Sequence, residues 1–296
     1  MDASIKPEAS AQLPQLTNRH RLLLQAIDRG DSYEEMWPVV CEMATELQST
    51  EKPRLRLANL QTAFAQDESS GWPLKTLFHT IPRRLLRSVV LNTVALDLHD
   101  EHSPNWQDAY RPKSAGTYAV GLAVRDRGGK FLTLRETRAL LDLLDQYEQA
   151  VRYMKAYRDD DVYGESQIPA GVMELIKTAR AIDERFLEAR HHWEEGDPLQ
   201  MPRYASSAAD PTMHIQALRA MLESRMLLPF DVDPDEPQIA SPLYVGCGKA
   251  MEGRSLAHNP ESSSGGHSSK ILQLTQACMA YAGLLPVTVT VAVVRG

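Results

Sequence analysis

The sequence predicts an α+β protein: a mostly helical N-terminal region followed by a small C-terminal α/β module built on a short antiparallel sheet. Three observations carry this expectation. Apolar residues recur at three- and four-residue spacing through much of the chain up to residue 226, the period of an amphipathic helix. Past that point the chain turns to short apolar runs separated by Pro, Gly and Ser. It closes on Val287-Thr288-Val289-Thr290-Val291, a β-branched run suited to a pleated strand.

Residues 1–16 carry Pro7 and Pro14 with little periodicity and are expected to form a flexible tail. A helix follows from Asn18 to Arg29, closed by Gly30. Ser32 can cap the next, over 33–49, with Pro38 in its first turns. A third is expected over 54–66, with Leu57, Leu60, Ala63 and Phe64 on one face, followed by a loop at Asp67–Gly71. Leu74, Leu77, Phe78, Ile81, Leu85 and Val89 continue the helical period, and Pro82 breaks it in two. Residues 100–115 are polar, carry Pro104 and Pro112, and predict a long loop.

Thr117–Arg125 and Lys130–Leu132 predict two strands of a hairpin near 117–132, joined at Asp126-Arg127-Gly128-Gly129. Thr133 and Glu136 spell a capping box for a helix reaching Arg158. Its apolar stripe is Leu140, Leu141, Leu144, Tyr147, Val151 and Met154. A second long helix, 170–195, carries Val172, Leu175, Ile176, Ala179, Phe186 and Trp193. The two are expected to form an antiparallel αα-hairpin over 134–195. Asp210-Pro211 opens one more helix, ending near Arg225. The domain organisation expected is a helical region over 17–226 and a module over 227–296. In the module, strands are expected at 227–232, 242–246 and 286–294, with a short helix carrying Met251 and Leu256. After a flexible loop at Ser262–Gly266, a helix over 268–281, closed by Gly283, should pack on the sheet through Ile271, Leu274 and Cys278.

The formal net charge of −7 over 296 residues excludes a dominant basic surface. Sequence-independent binding to nucleic acid rests on clustered Lys and Arg, so any such role here must be local. The only cysteines are Cys41, Cys247 and Cys278, without CxxC spacing. That argues against a disulfide framework and for a reducing, intracellular compartment, nucleus or cytoplasm. Met1–Gln15 lacks an apolar signal core. Leu85–Leu98 is too short and too charged to span a bilayer, so no membrane partner is expected.

The chemistry-bearing cluster is Leu243–His258. Tyr244 falls near the end of a strand, and Gly246 and Gly248 let the backbone turn. Arg254 and His258, four residues apart, share a helix face. A guanidinium binds phosphate oxygens bidentately and keeps its proton, and a phenol or imidazole can orient or deprotonate water.

In this order the residues resemble the GIY-YIG nucleases. Tyr244-Val245-Gly246 is similar to the family's second motif, Arg254 has the spacing of its catalytic Arg, and His258 matches a His often found one turn later. His267, Ser268, Lys270, Leu272 and Gln273, then Tyr281-Ala282-Gly283 and a strand, resemble the helix and third strand of the homing-endonuclease-like branch. The resemblance implies hydrolysis of DNA or RNA with Tyr244, Arg254 and His258 as catalytic residues. It implies Gly246, Lys249, His267 and Lys270 as substrate contacts, and Mg or Mn as the divalent metal if the site is active; otherwise no cofactor is expected.

The sequence departs from the family twice. Gly-Ile-Tyr is missing at its usual distance, where Leu228-Pro229-Phe230 stands and Phe230 lacks the hydroxyl. Gly116-Thr117-Tyr118 is an alternative spelling that requires a long helical insertion. The family's metal-binding Glu lies on a helix after the third strand, and this chain stops at Gly296. The expectation is a truncated, nuclease-derived module with impaired or lost hydrolysis, unless a carboxylate such as Glu252 or Glu223 stands in. The alternative is a non-catalytic scaffold whose helical region binds a protein partner and whose C-terminal module is structural. A third option keeps the phosphate grip of Arg254 without hydrolysis.

Other clusters point to solvated surface. His191 and His192, beside Glu194 and Glu195, are adjacent and so face different sides of a helix. Asp159–Asp161 fit a solvated helix end, and Arg83, Arg84 and Arg87 a charged helix face.

Overall fold

The computed structural model describes residues 16–49, 72–107, 109, 111, 115–159, 168–186, 200–205, 210–226, 233–260 and 269–295. The helix expected at 54–66, the strand at 227–232, the loops at 67–71 and 262–266, and the long helix beyond 186 lie outside the described residues. So do nearly all of the N-terminal tail and the His191-His192 and Asp160-Asp161 positions.

The N-terminal helices follow the local signals. Helix α1 (Asn18–Arg29) starts at Thr17, whose hydroxyl accepts from His20 N, and stops at Gly30 in the left-handed region. Helix α2 (Tyr33–Ser49) opens on a reciprocal box, Ser32 N to Glu35 and Glu35 N to Ser32 Oγ. Pro82 separates α3 (Trp72–His79) from α4 (Arg83–Leu91), and α5 (Val94–Leu98) follows. Arg83 donates to the carbonyls of Ile27 and Asp31, at the C-terminal end of α1, and Arg87 pairs with Asp28 at 2.9 Å. Two of the three clustered arginines thus dock α4 on α1.

The sheet has the order β2-β1-β3, all antiparallel. Strand β1 (Gly116–Val124) is central, and β2 (Leu243–Gly248) and β3 (Pro286–Arg295) flank it. This corrects the expected module. Among the described residues the sheet takes its third strand from 116–124, on the other side of the long helices, while the expected strand at 227–232 lies outside them. The physical reason lies in β1's own composition. Tyr118 to Val124 is apolar at every position and buried at every position, so the strand needs cover on both faces and a partner on both edges. Tyr118 and Val120 pack with Met251, Leu272 and Ala292, while Ala119 packs oppositely with Leu85, Val94, Leu98 and Val291. Gly121 lets α5 approach: a Cβ there would stand 2.7 Å from Ala95 N.

The return expected after Val124 is present, with Val124 N donating to Lys130 O. Residues 130–132, however, form no strand. Phe131 N donates to Gln238 O and Gln238 N to Leu132 O, so this segment pairs locally with the chain approaching β2.

The largest core lies among helices α6 (Leu134–Asp159), α7 (Ala170–Asp183), α8 (Met213–Arg225) and α10 (Lys270–Tyr281). Helix α6 begins at the expected capping box, and Arg127 forks onto Glu136 with two 2.7 Å bonds. That pairing holds the Glu136 carboxyl below its ordinary range. Met154 packs with Val172 and Ile176, while Tyr147 reaches Asp183, so α6 and α7 run antiparallel. Asp183 is fully buried, accepts from Tyr147 Oη and Arg203 N, and is pushed up to about 7 by burial. Helix α8 begins at Met213, two residues after Pro211, because Asp210 Oδ1 accepts from Thr212 N in a local turn. Ile271, Leu274 and Cys278 of α10 face this helical core, and Leu272 faces the sheet. Among the described residues, no helix is long and apolar enough to cross a membrane.

Candidate functional site

The site forms where β1, β2 and α9 (Met251–His258) meet. Tyr118 is register partner to Gly246, and Val120 to Tyr244, so both tyrosines lie on one face of neighbouring strands. The β1–β3 register shifts between Thr117 and Tyr118, a bulge that sits beside the first phenol. Gly246 is required for this placement. A Cβ at that position would stand 2.5 Å from Tyr118 Oη and 2.6 Å from its Cζ. The Tyr118 ring therefore crosses over β2 through the space that a side chain would fill.

His258 closes the cluster from α9. Its Nε2 lies 2.9 Å from Tyr118 Oη. Its ring centroid stands 5.4 Å from that of Tyr118 and 5.0 Å from that of Tyr244, and the two phenol centroids are 6.4 Å apart. Its carbonyl accepts from Gln276 Nε2 at 2.9 Å and Thr288 Oγ1 at 3.4 Å, which fixes the end of α9 to α10 and β3. Tyr118 is 2% exposed and His258 1%. Arg254, one turn earlier, is exposed, and its Cγ lies 3.4 Å from where a Gly248 Cβ would be. The Arg254 charge acts on both buried groups.

Burial and the Arg254 charge pull the His258 imidazole down to about 4. Burial, with Tyr244 beside it, raises the Tyr118 phenol, and Arg254 only partly offsets this. At neutral pH both groups are therefore neutral. A general base works best with its pKa near the working pH, and this pair is displaced from that range in both directions. Arg254 supplies a permanent positive charge beside them.

The structure thus brings Tyr244, Gly246, Arg254 and His258 together and adds Tyr118, which the alternative Gly116-Thr117-Tyr118 spelling contained. Lys249 is exposed just past β2. Lys270 points elsewhere: its Nζ donates to the Ala205 carbonyl at 2.7 Å. His267 lies outside the described residues. Neither suggested carboxylate joins the cluster. Glu252 lines a separate cleft of about 410 Å³ with Trp106 and Arg111, and Glu223 sits 3.9 Å from Arg219. Among the described residues no group of three His, Cys, Asp or Glu could hold a metal ion. Two phenols, a guanidinium and a neutral imidazole do not fit a hard divalent cation, which takes carboxylate and carbonyl oxygens.

Replacing Gly246 by Ala is expected to lower stability by roughly 1–3 kcal/mol, because the methyl overpacks against the Tyr118 ring. In a double-mutant cycle with Tyr118→Ala, the paired substitution should cost clearly less than the sum of the two. Additive losses in the denaturation midpoints would show that the strand tolerates the methyl without moving Tyr118.

Comparison with protein-family models, curated proteins and solved structures returns no match for this chain.

Proposed function

We propose that the cluster of Tyr118, Tyr244, Arg254 and His258 is a GIY-YIG-like, nuclease-derived site that grips a phosphodiester of DNA or RNA at its exposed Arg254 edge, with little or no hydrolysis by the chain as described. The observation that carries the reading is the convergence itself. Two phenols on adjacent strands, separated in sequence by residues 119–243, meet an imidazole and a guanidinium from one helix. In this reading Gly116-Thr117-Tyr118 stands for the first motif and Tyr244-Val245-Gly246 for the second, with the long helices inserted between them. Arg254 holds the phosphate oxygens by charge-assisted hydrogen bonds, and Tyr244 and Lys249 flank the approach. Weak hydrolysis follows from the neutral pair at Tyr118 and His258 and from a donor set that does not suit a metal. The free thiols of Cys41, Cys247 and Cys278 support an intracellular location.

A second reading takes the module as structural within a helical scaffold. The observation favouring it is the near-complete burial of Tyr118 and His258, which a mutual hydrogen bond through Nε2 joins as a core pair, while His258 Nδ1 has no hydrogen-bond partner among the described residues.

Incubating the chain with supercoiled plasmid and single-stranded RNA, in Mg²⁺ or Mn²⁺, tests the catalytic half of the proposal. The expected result is no cleavage above that of Arg254→Ala. Robust cleavage that disappears in Arg254→Ala and Tyr118→Phe would overturn it and restore an active nuclease.

A further inference from the structure

We propose that Arg225 and Ser241 bind a buried monovalent anion of chloride size where the end of α8 meets the chain entering β2. Arg225 is the last residue of α8 and is only 9% exposed. Its Nη2 donates to the Ser241 carbonyl at 3.0 Å, while its Nη1, shielded from solvent, has no hydrogen-bond partner among the described residues. Ser241 is 1% exposed, and its Oγ is likewise shielded and unpartnered. Ser241 is held in place by its own N–H, which donates to the Asn92 carbonyl at 2.9 Å. Two orphaned donors therefore belong to two residues already joined by a hydrogen bond.

No carboxylate pairs with this guanidinium among the described residues, and burial alone pulls it down to about 10. A guanidinium stays charged at neutral pH, so the site must carry a positive charge in a low-dielectric place. The helix C-terminus offsets only part of it. The flanking Leu222 and Ala240 are fully buried and apolar. A single negative charge balances the guanidinium, and a spherical ion is satisfied by two donors. Phosphate or sulfate would bring more acceptor oxygens than the site has donors. A water molecule would serve Ser241 but leave the charge unbalanced.

The test is thermal unfolding of the full chain at fixed pH and ionic strength, with chloride replacing gluconate, a much larger organic anion. The wild type should rise in Tm along a saturable curve, with bromide able to replace chloride. Arg225→Met should lose the response. Ser241→Ala keeps the guanidinium and its carbonyl bond, and should shift the half-saturating chloride concentration upward roughly tenfold. Crystals grown in bromide should show anomalous density between Arg225 Nη1 and Ser241 Oγ. A chloride response that is absent in the wild type, or equal in the wild type and Ser241→Ala, or bromide density only elsewhere, overturns the proposal.

Discussion

A fragment comprising residues 227–296 is expected to show no cooperative unfolding transition, whereas the full chain unfolds cooperatively in urea. Strands β2 and β3 are not neighbours; each is paired with β1. Removing residues 116–124 leaves the ladder groups of Leu243–Gly248 and Pro286–Arg295 without their partner. Buried backbone donors and acceptors left unpaired are costly. The apolar side of the fragment fails as well. Met251 and Leu272 pack on Tyr118 and Val120, and Leu274, Ala277 and Cys278 pack into a core dominated by α6, α7 and α8. The measurement is circular dichroism of fragment and full chain across a urea series. A sigmoidal transition in the fragment would mean that its strands find another pairing, and that β1 is not essential to the sheet.

Leu144→Ala is expected to lower the unfolding free energy by roughly 2–5 kcal/mol, from lost transfer energy and the cavity left behind. Leu144 is fully buried, in the same core as Tyr147, Val151, Ala179 and Ile182. Relaxation there is restricted by polar anchors: Tyr147 Oη donates to Asp183 and accepts from Tyr204 N at 3.1 Å. A neighbour tied in this way cannot slide into the space without breaking a buried hydrogen bond. Against a typical total of about 5–15 kcal/mol, the loss is large enough to move the urea midpoint clearly. An unchanged midpoint would show that the helical hairpin is not packed as described.

The helices were the most legible part of the chain. Gly30, the Ser32–Glu35 box, Pro82 and the Thr133–Glu136 box are local signals, and each acts on the backbone within one turn. The start of α8 was misplaced by two residues because Asp210 makes a turn with Thr212 before the helix begins. Sheet membership was the least legible. Strand β1 finds β2 and β3 far along the sequence, and no turn links them. One local signal was nevertheless available. Tyr118-Ala119-Val120-Gly121-Leu122-Ala123-Val124 is apolar on both faces, which suits a central strand better than one arm of an exposed hairpin. The same pairing decides the site. Tyr244, Arg254 and His258 share a short stretch of sequence, so their convergence could be inferred from spacing. Tyr118 stood in the sequence only as the alternative Gly116-Thr117-Tyr118 spelling, and its place beside Tyr244 is set by register with Gly246. Gly246 proves to be a clearance for the Tyr118 ring as much as a turn residue. Lys270 is a substrate contact only by the family resemblance; its carbonyl partner, Ala205, lies in a turn far away in sequence, where no local signal announces the bond.

The central claim is that Arg254 anchors a phosphate beside this cluster. Fluorescence anisotropy with a short labelled oligonucleotide, over a salt series, tests it without requiring turnover. Arg254→Ala, at an exposed position, should leave the Tm near that of the wild type while weakening binding about tenfold or more, as the loss of a charge-assisted hydrogen bond does. The slope of log affinity against log salt should fall by about 0.7–0.9, the loss of one phosphate contact. Equal affinity and equal salt slope in wild type and Arg254→Ala would contradict the account and leave Tyr118 and His258 as a buried structural pair.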